Sequence, residues 1–427
     1  MKLKVAFGKD GLTLDLPEGY AYRVLEAKSA APLADVTGAL RYAIDSPIGC
    51  APLRDLARGK RTAAISVCDI TRPAPNSVTL PPLLDCLEQA QIAPGDITIL
   101  IATGLHRPAT EEEILRIVGP AIASRYRIVN HQAKELEEHR FLGETSRGTP
   151  VYIDERFVSA DLHITLGFIE QHLMLGFSGG RKLIAPGLAA QETIKVLHSP
   201  KFMREPKAIE GSIADNPLHR ELLEIARMAR HDFMLDTALT RTRDIAGVFA
   251  GDPVQAHSAG VKFVSEALLE RLPQPADAVL TTAAGYPLDL TFYQAIKGVT
   301  AAQHIVKPGG RILLIAECAE GAGAQEFAQK LLEFRSYSEL LNQIAHAPVV
   351  VDQWQIEKLA LAGEKYEIFF YVPGLPDHLR AGLGGRVYDR PEHALAAFLK
   401  GLPKSAQIAA IPEGPYVYAR VEEPVLA

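Results

Sequence analysis

Ala63-Ala64-Ile65-Ser66-Val67-Cys68 running straight into Asp69-Ile70-Thr71-Arg72-Pro73 is the stretch that decides the fold. Six mostly apolar residues read as a buried strand, and the abrupt change to polar residues and proline ends it. The same arrangement recurs along the chain. ITILIA, Ile97–Ala102, runs into Thr103-Gly104-Leu105-His106-Arg107-Pro108. LHITLG runs into Phe168-Ile169-Glu170-Gln171-His172, and AVLTTA runs into Gly285-Tyr286-Pro287-Leu288-Asp289-Leu290. In open α/β sheets, ligands bind just beyond the carboxyl ends of strands. Four such segments can therefore converge on one cleft.

Working outward, short apolar runs alternate with helical patterns, as in α/β proteins. Strands are expected at Ala63–Cys68, Ile97–Ala102, Arg127–Asn130, Leu162–Leu166, Ala278–Thr282 and Arg311–Ala316. Helices are expected at Pro81–Ala90, Glu111–Val118, Ala189–Leu197, Leu218–Ala229, Pro253–Leu272 and Gln325–Leu332. Thr110 with Glu113 forms a capping box at the start of the second. The 427 residues favour two domains over one core. Pro273-Gln274-Pro275 after a long helical pattern sets the boundary, giving α/β domains at 1–272 and 273–427 with a cofactor and substrate cleft between them. The tail Gln407–Ala427 is left to pack on its own domain or back on the first.

Composition is that of a globular protein, 48% apolar and 22% charged, with a net charge of −6 spread along the chain. That argues against nucleic acid or an anionic membrane as partner. The start MKLKVAFGKDG has no apolar signal region, and no apolar run approaches the roughly 18 residues that span a bilayer. A cytoplasmic location is expected. Cys50, Cys68, Cys86 and Cys318 form no CxxC pair and read as free thiols, so a metal would look to imidazole first.

The residue types then point to chemistry. Gly176-Phe177-Ser178-Gly179-Gly180-Arg181-Lys182 is a small-residue turn that delivers a lysine, with His172 before it and His198 after it. It is not a Walker A loop: Arg181 intervenes and Leu183 stands where Ser or Thr would bind magnesium. Arg72 offers a fork suited to a carboxylate or phosphate, though Asp69 and Arg72 would equally pair to fix a turn. His106 and His172 are loop histidines at strand ends, each a candidate proton carrier. His198 closes a predicted helix, where the helix dipole alone would favour it. Gln294 and Lys297 share one helix face, either solvated or turned to a small carboxylate. Trp354, the single tryptophan, is expected in the core.

Together these segments resemble the nickel-dependent lactate racemase family along nearly the full length. The matching segments are DITRP, TGLHRP, the stretch from Glu170 and His172 through GFSGGRK, His198, YPLD (Tyr286–Asp289), YQAIKG (Tyr293–Gly298) and DQWQ (Asp352–Gln355). The resemblance implies a nickel-pincer nucleotide, a pyridinium-3,5-bisthiocarboxylic acid mononucleotide made by separate maturation proteins and attached covalently to Lys182. It implies His198 as the nickel ligand and His106 and His172 as alternating acid and base. Asp69, Ile70, Thr71 and Arg72, with Ser178, Gly179 and Gly180, match cofactor-contacting positions. Arg72, Tyr293, Gln294 and Lys297 match substrate-contacting positions, with Arg72 and Lys297 in the catalytic set. The implied reaction is inversion of C2 in a 2-hydroxy acid by proton-coupled hydride transfer.

Two departures bear on the substrate. Leu173, Met174 and Leu175 after His172, and Gln132 after Asn130-His131, differ from the run expected of lactate enzymes. They leave open lactate, a larger 2-hydroxy acid, or a sugar acid, with an apolar pocket wall from residues 173–175. Two other classes compete: a Schiff-base lyase using Lys182 or Lys297, and a ligand-binding homologue without cofactor. Oligomeric state is not encoded in these features.

Overall fold

The computed structural model describes residues 1–350 and 352–422. The chain forms two compact α/β units, but their division differs from a cut at residue 272. One continuous stretch, Ser29–Ala267, is the inserted unit; Met1–Lys28 joins the chain from Leu268 onward as the flanking unit. The first 28 residues thus belong with the second half. The reason is strand pairing: Ala21–Val24 lies parallel to Gln407–Ile411 and completes the flanking sheet. The expected helix to Leu272 stops at Leu268, and Leu269–Leu272 turns into a strand pairing with Tyr418–Val421. The tail therefore stays within the flanking unit, while residues 423–427 lie outside the described residues.

The inserted unit is built on β1 (Ala63–Cys68), β2 (Ile97–Ala102), β3 (Arg127–Asn130), β4 (Leu162–Phe168), β5 (Phe233–Leu239) and β6 (Ile245–Gly251). Their order across the sheet is β6-β5-β4-β1-β2-β3, parallel except for β6. The chain starts at the centre on β1, winds outward through β2 and β3, and returns to β4 on the other side of β1. The switch point between β1 and β4 is where a crevice opens in doubly wound sheets. Every residue of β1 and β4 is buried, which explains their near-continuous apolar runs. In register, Cys68 stands beside Ala102, and Phe168 beside Thr237, so the turns after β1, β2 and β4 leave one end of the sheet together.

Helix α1 (Asn76–Gln89) covers this sheet and begins five residues before the expected Pro81. Pro81 and Pro82 sit in its interior; the carbonyls they cannot bond belong to Ser77 and Val78, which face water. Helix α2 (Glu111–Val118) carries both bonds of the Thr110/Glu113 capping box. Helix α3 (Gln191–Leu197) and helix α4 (Pro217–Met228) follow.

The flanking unit holds β7 (Ala276–Thr282), β8 (Val306–Ile315), β9 (Glu367–Tyr371), β10 (Arg386–Val387) and β11 (Gln407–Ile411). Together with Ala21–Val24 they form a wholly parallel sheet, β10-β9-β8-β7-β11 and then the N-terminal strand. Its switch point lies between β7 and β11. Helix α5 (Phe292–Ala302) follows β7, and α6 (Gln353–Gly363) packs beside it. Among the described residues, no helix is long and apolar enough to cross a membrane.

Candidate active site

The turn after β1 and the turn after β2 meet through one short bond. His106 Nδ1 lies 2.7 Å from Asp69 Oδ2, and Thr71 Oγ1 donates to Asp69 Oδ1 at 2.7 Å. Asp69 is 5% exposed, whereas half of the His106 side chain faces solvent. Burial pushes the Asp69 carboxyl up, but the bonds from His106 and Thr71, with the charges of His106 and Arg72, outweigh it and hold the carboxyl below its usual range. An ionised Asp69 needs a donor, so His106 carries its proton on Nδ1 and turns the Nε2 lone pair outward. Arg72 is half-buried and Ile70 is 36% exposed. The backbone also shapes this turn: His106 N–H donates to Thr103 O, and Gly104 N–H donates to Gly187 O.

His172 follows β4 on a two-residue hairpin in which it pairs with Gly176. The N–H groups of Met174 and Leu175 approach its Nδ1 at 3.5 and 3.4 Å, at the outer limit of hydrogen bonding. Met174 and Leu175 are 5% and 1% exposed and belong to the core. Of the three residues expected to line an apolar wall, only Leu173 is partly exposed.

The SGGRK turn is a short 3₁₀ segment, Gly180–Leu183, entered through Gly179 at φ +83°. A Cβ at Gly179 would stand 2.2 Å from Asp236 Oδ2, so only glycine fits. Ser178 closes the loop behind: its N–H donates to Glu170 O, and its hydroxyl donates to Phe168 O while accepting Glu170 N–H. Lys182 is half-buried. His198, at the end of α3, is 8% exposed and donates from Nδ1 to Ile194 O at 2.8 Å. Burial, with the nearby Lys182 charge adding to it, lowers His198 to about 4. The ring is therefore neutral, with its lone pair on Nε2. An Nδ1–H held by a backbone carbonyl is the arrangement that orients a metal-binding imidazole.

Cys68, at the end of β1, ties these groups to one place. Burial and the Asp236 charge push its thiol up to about 12, while Arg72 and Lys182 pull the other way and Asp69 adds to the rise. Arg72, Asp69, Lys182 and Asp236 therefore all act on one strand end at the switch point. Among the described residues, no three His, Cys, Asp or Glu side chains cluster as a metal cage. A metal here would draw most of its donors from elsewhere than the chain. The donors present, a neutral imidazole beside a lysine amine, fit a group that brings its own metal donors.

The substrate-contacting candidates of the flanking unit stand on α5. Tyr293 is half-buried, and its hydroxyl accepts the Trp354 indole N–H at 3.0 Å. Trp354, expected in the core, is itself only half-buried on α6. Gln355 Nε2 donates to Tyr293 O, and Gln294 Oε1 is buried with no bonded partner. Lys297 lies one turn on, half-buried. In YPLD, Asp289 is fully buried and accepts the N–H groups of Gly8 and Glu317.

Sequence reasoning passed over three buried polar groups. Asp236 lies in β5 beneath the SGGRK turn, and a carboxylate inside Phe233-Met234-Leu235-Asp236 was the available signal. Arg181 points inward: its guanidinium holds Leu175 O and Phe177 O and meets His257 Nε2. His131, wholly buried, faces His139 Nε2 at 2.9 Å. All four cysteines are free, though Cys50 is only half-buried.

The family profiles for the lactate racemase N-terminal domain and the lactate racemase C-terminal domain match residues 7–211 and 272–418. The chain is 35% identical to the lactate racemase of Thermoanaerobacterium thermosaccharolyticum over 84% of this chain and 85% of that one. It is 36% identical to the lactate racemase of Lactiplantibacillus plantarum over 87% and 88%. The solved lactate racemase apoprotein of T. thermosaccharolyticum superposes with a TM-score of 0.90 at 32% identity, covering 98% of this chain and 100% of that one. A solved Thermotoga maritima protein shares the fold at a TM-score of 0.64 and 16% identity, covering 90% and 97%. With both profiles matched in order and the relatives covered nearly end to end, this chain belongs to the lactate racemase family.

Proposed function

We propose that this chain is a racemase that inverts C2 of a 2-hydroxy acid, lactate first among the candidates, with a nickel-pincer nucleotide tethered to Lys182 and nickel held by His198. The observation that carries the reading is the 2.7 Å Asp69–His106 bond, which aims an Nε2 lone pair outward from a switch-point turn that also bears Arg72. Held by Lys182 and His198, such a nucleotide would supply hydride-accepting chemistry. Arg72 grips the substrate carboxylate through its fork. His106 Nε2 takes the hydroxyl proton as C2 flattens, and buried Asp69 stabilises the imidazolium that results. His172 serves as the acid in its imidazolium form: it delivers a proton to the substrate oxygen on the opposite face and ends as a neutral ring. For the other enantiomer the two exchange roles. Each turnover leaves one ring a proton richer and the other a proton poorer, and both reset by exchange with water, His106 being half-exposed and His172 partly so. Tyr293, Gln294 and Lys297 are assigned substrate contacts, and maturation proteins supply the nucleotide.

The test is incubation of single-enantiomer 2-hydroxy acids with holoenzyme in deuterated water, followed by chiral chromatography and mass spectrometry. Inversion with the C2 hydrogen retained is expected. Fast deuteration at C2 would mean simple deprotonation, and inertness toward every 2-hydroxy acid would reject the reaction.

A further inference from the structure

Asp236 is a buried carboxylate that the reaction above does not use. It sits in β5 with 0% exposure among Leu235, Met234 and Ala238, where an isolated charge is costly. No neighbour on its own strand offsets that cost. Its support comes from across the sheet end: Gly180 N–H donates to Oδ2 at 2.7 Å, and the Arg181 charge stabilises it. Room for it is cut from two other elements. A Cβ at Gly179 would stand 2.2 Å from Oδ2, and a Cβ at Gly167, the register partner of Asp236 on β4, would stand 3.1 Å from Oδ1. Gly179 of the turn, and Gly167 of β4 beneath both Leu183 and Asp236, thus leave room for this carboxylate. Residues 180 and 181 are both anchored inward, one to Asp236 and the other to Leu175 O and Phe177 O. Lys182 is the first residue beyond those anchors, and its N–H donates back to Gly179 O. Asp236 and Lys182 both act on Cys68, so they flank the same strand end.

We propose that Asp236 is the positioning residue of the Lys182 turn: by accepting Gly180 N–H it fixes the turn's register and so sets where the Lys182 amine stands for attachment of the nucleotide. The inference rests on Lys182 as the attachment point, yet its test does not need the cofactor. In apoprotein, the rate at which a small amine-acylating reagent labels Lys182 relative to the other lysines is read by peptide mass spectrometry. Asp236→Ala should change that ratio about tenfold or more, since moving a half-buried amine alters both its access to reagent and the fraction that is unprotonated. Asp236→Asn keeps an acceptor oxygen for Gly180 N–H and should restore the ratio toward wild type. Rescue by Asn at a melting temperature no higher than that of Asp236→Ala separates positioning from plain stability. A wild-type ratio in Asp236→Ala overturns the proposal, as does an equal change in both variants that tracks loss of fold. If Asp236→Ala does not fold, hydrogen exchange of wild type decides. The Gly180 amide should be protected well beyond the neighbouring loop amides, and unprotected exchange there overturns the proposal. Failure of wild-type Lys182 to gain a mass adduct with maturation proteins would instead reject the attachment reading, leaving the labelling result standing.

Discussion

Replacing Asp69 with asparagine isolates one bond of the proposed mechanism. The side chain keeps its shape, and its amide oxygen can still meet His106 Nδ1, but the charge that holds the proton on Nδ1 is gone. The bond is short, 2.7 Å, and one partner is almost wholly buried, so it belongs with charge-assisted bonds worth about 1.5–3 kcal/mol. The imidazolium formed during the reaction would lose roughly that stabilisation. At about 1.36 kcal/mol per factor of ten, racemisation should slow by about 10- to 150-fold. Removing the base with His106→Ala should cost more, ~10²–10⁴-fold. The assay is initial rate in both directions by chiral chromatography, with each preparation normalised to Lys182 adduct occupancy by intact mass. Normalisation matters because Asp69 is also assigned a cofactor contact. A normalised Asp69→Asn rate within about twofold of wild type would refute the argument, since that is smaller than any charge-assisted bond.

The remaining predictions address other groups. His172→Ala should abolish inversion in both directions by chiral assay, because each direction uses both rings. His198→Ala should keep the fold and the Lys182 mass adduct yet lose nickel by elemental analysis; retained nickel would remove His198 as ligand. Burial holds His131 neutral, with its pKa lowered to about 3, chiefly by desolvation. At neutral pH both folded and unfolded forms are uncharged there. As pH falls below about 6.5 only the unfolded chain takes up the proton, so stability drops by about 2 kcal/mol at pH 5 from this residue. Urea midpoints at pH 7 and pH 5 should therefore differ less in His131→Gln than in wild type, and equal differences would contradict the sign.

The parts of the fold read correctly from sequence are those whose ends carry clear punctuation: buried β1 and β2, partly buried β3, and the capped helix Glu111–Val118. β1 and β2 match to the residue because their apolar runs end at polar, turn-forming residues, and β3 matches because Ile128-Val129 is a short β-branched pair between polar ends. β5 and β6 were not read: Asp236 breaks one apolar run, and Gly247 and Gly251 dilute the other. α6 escaped because buried Gln353, Gln355, Glu357 and Lys358 interrupt its apolar positions Ile356, Leu359, Ala360 and Ala362. The N-terminal strand could not be assigned to the flanking unit, since its partner lies at the far end of the chain. Within the site, the motifs announced the residue types, but the Asp69–His106 bond depends on two adjacent strands ending in register. Asp236 was invisible as a functional group because its partner is a backbone N–H, which has no side-chain signature.

That N-terminal strand also sets a timetable for biosynthesis. Ala21 pairs with Gln407, so the flanking sheet waits for 386 further residues before its last edge can close. At about 5–20 residues per second the delay is roughly 20–80 s, during which Ala21–Val24 lacks its native neighbour. Ser29–Ala267, by contrast, is uninterrupted and can collapse as it leaves the ribosome. The half that carries Lys182 and His198 is thus able to mature while the other half is still an open sheet edge. Exposed edges of that kind invite pairing with other chains, so an arrest between residues 300 and 400 is the point in synthesis at which this protein is most prone to aggregate.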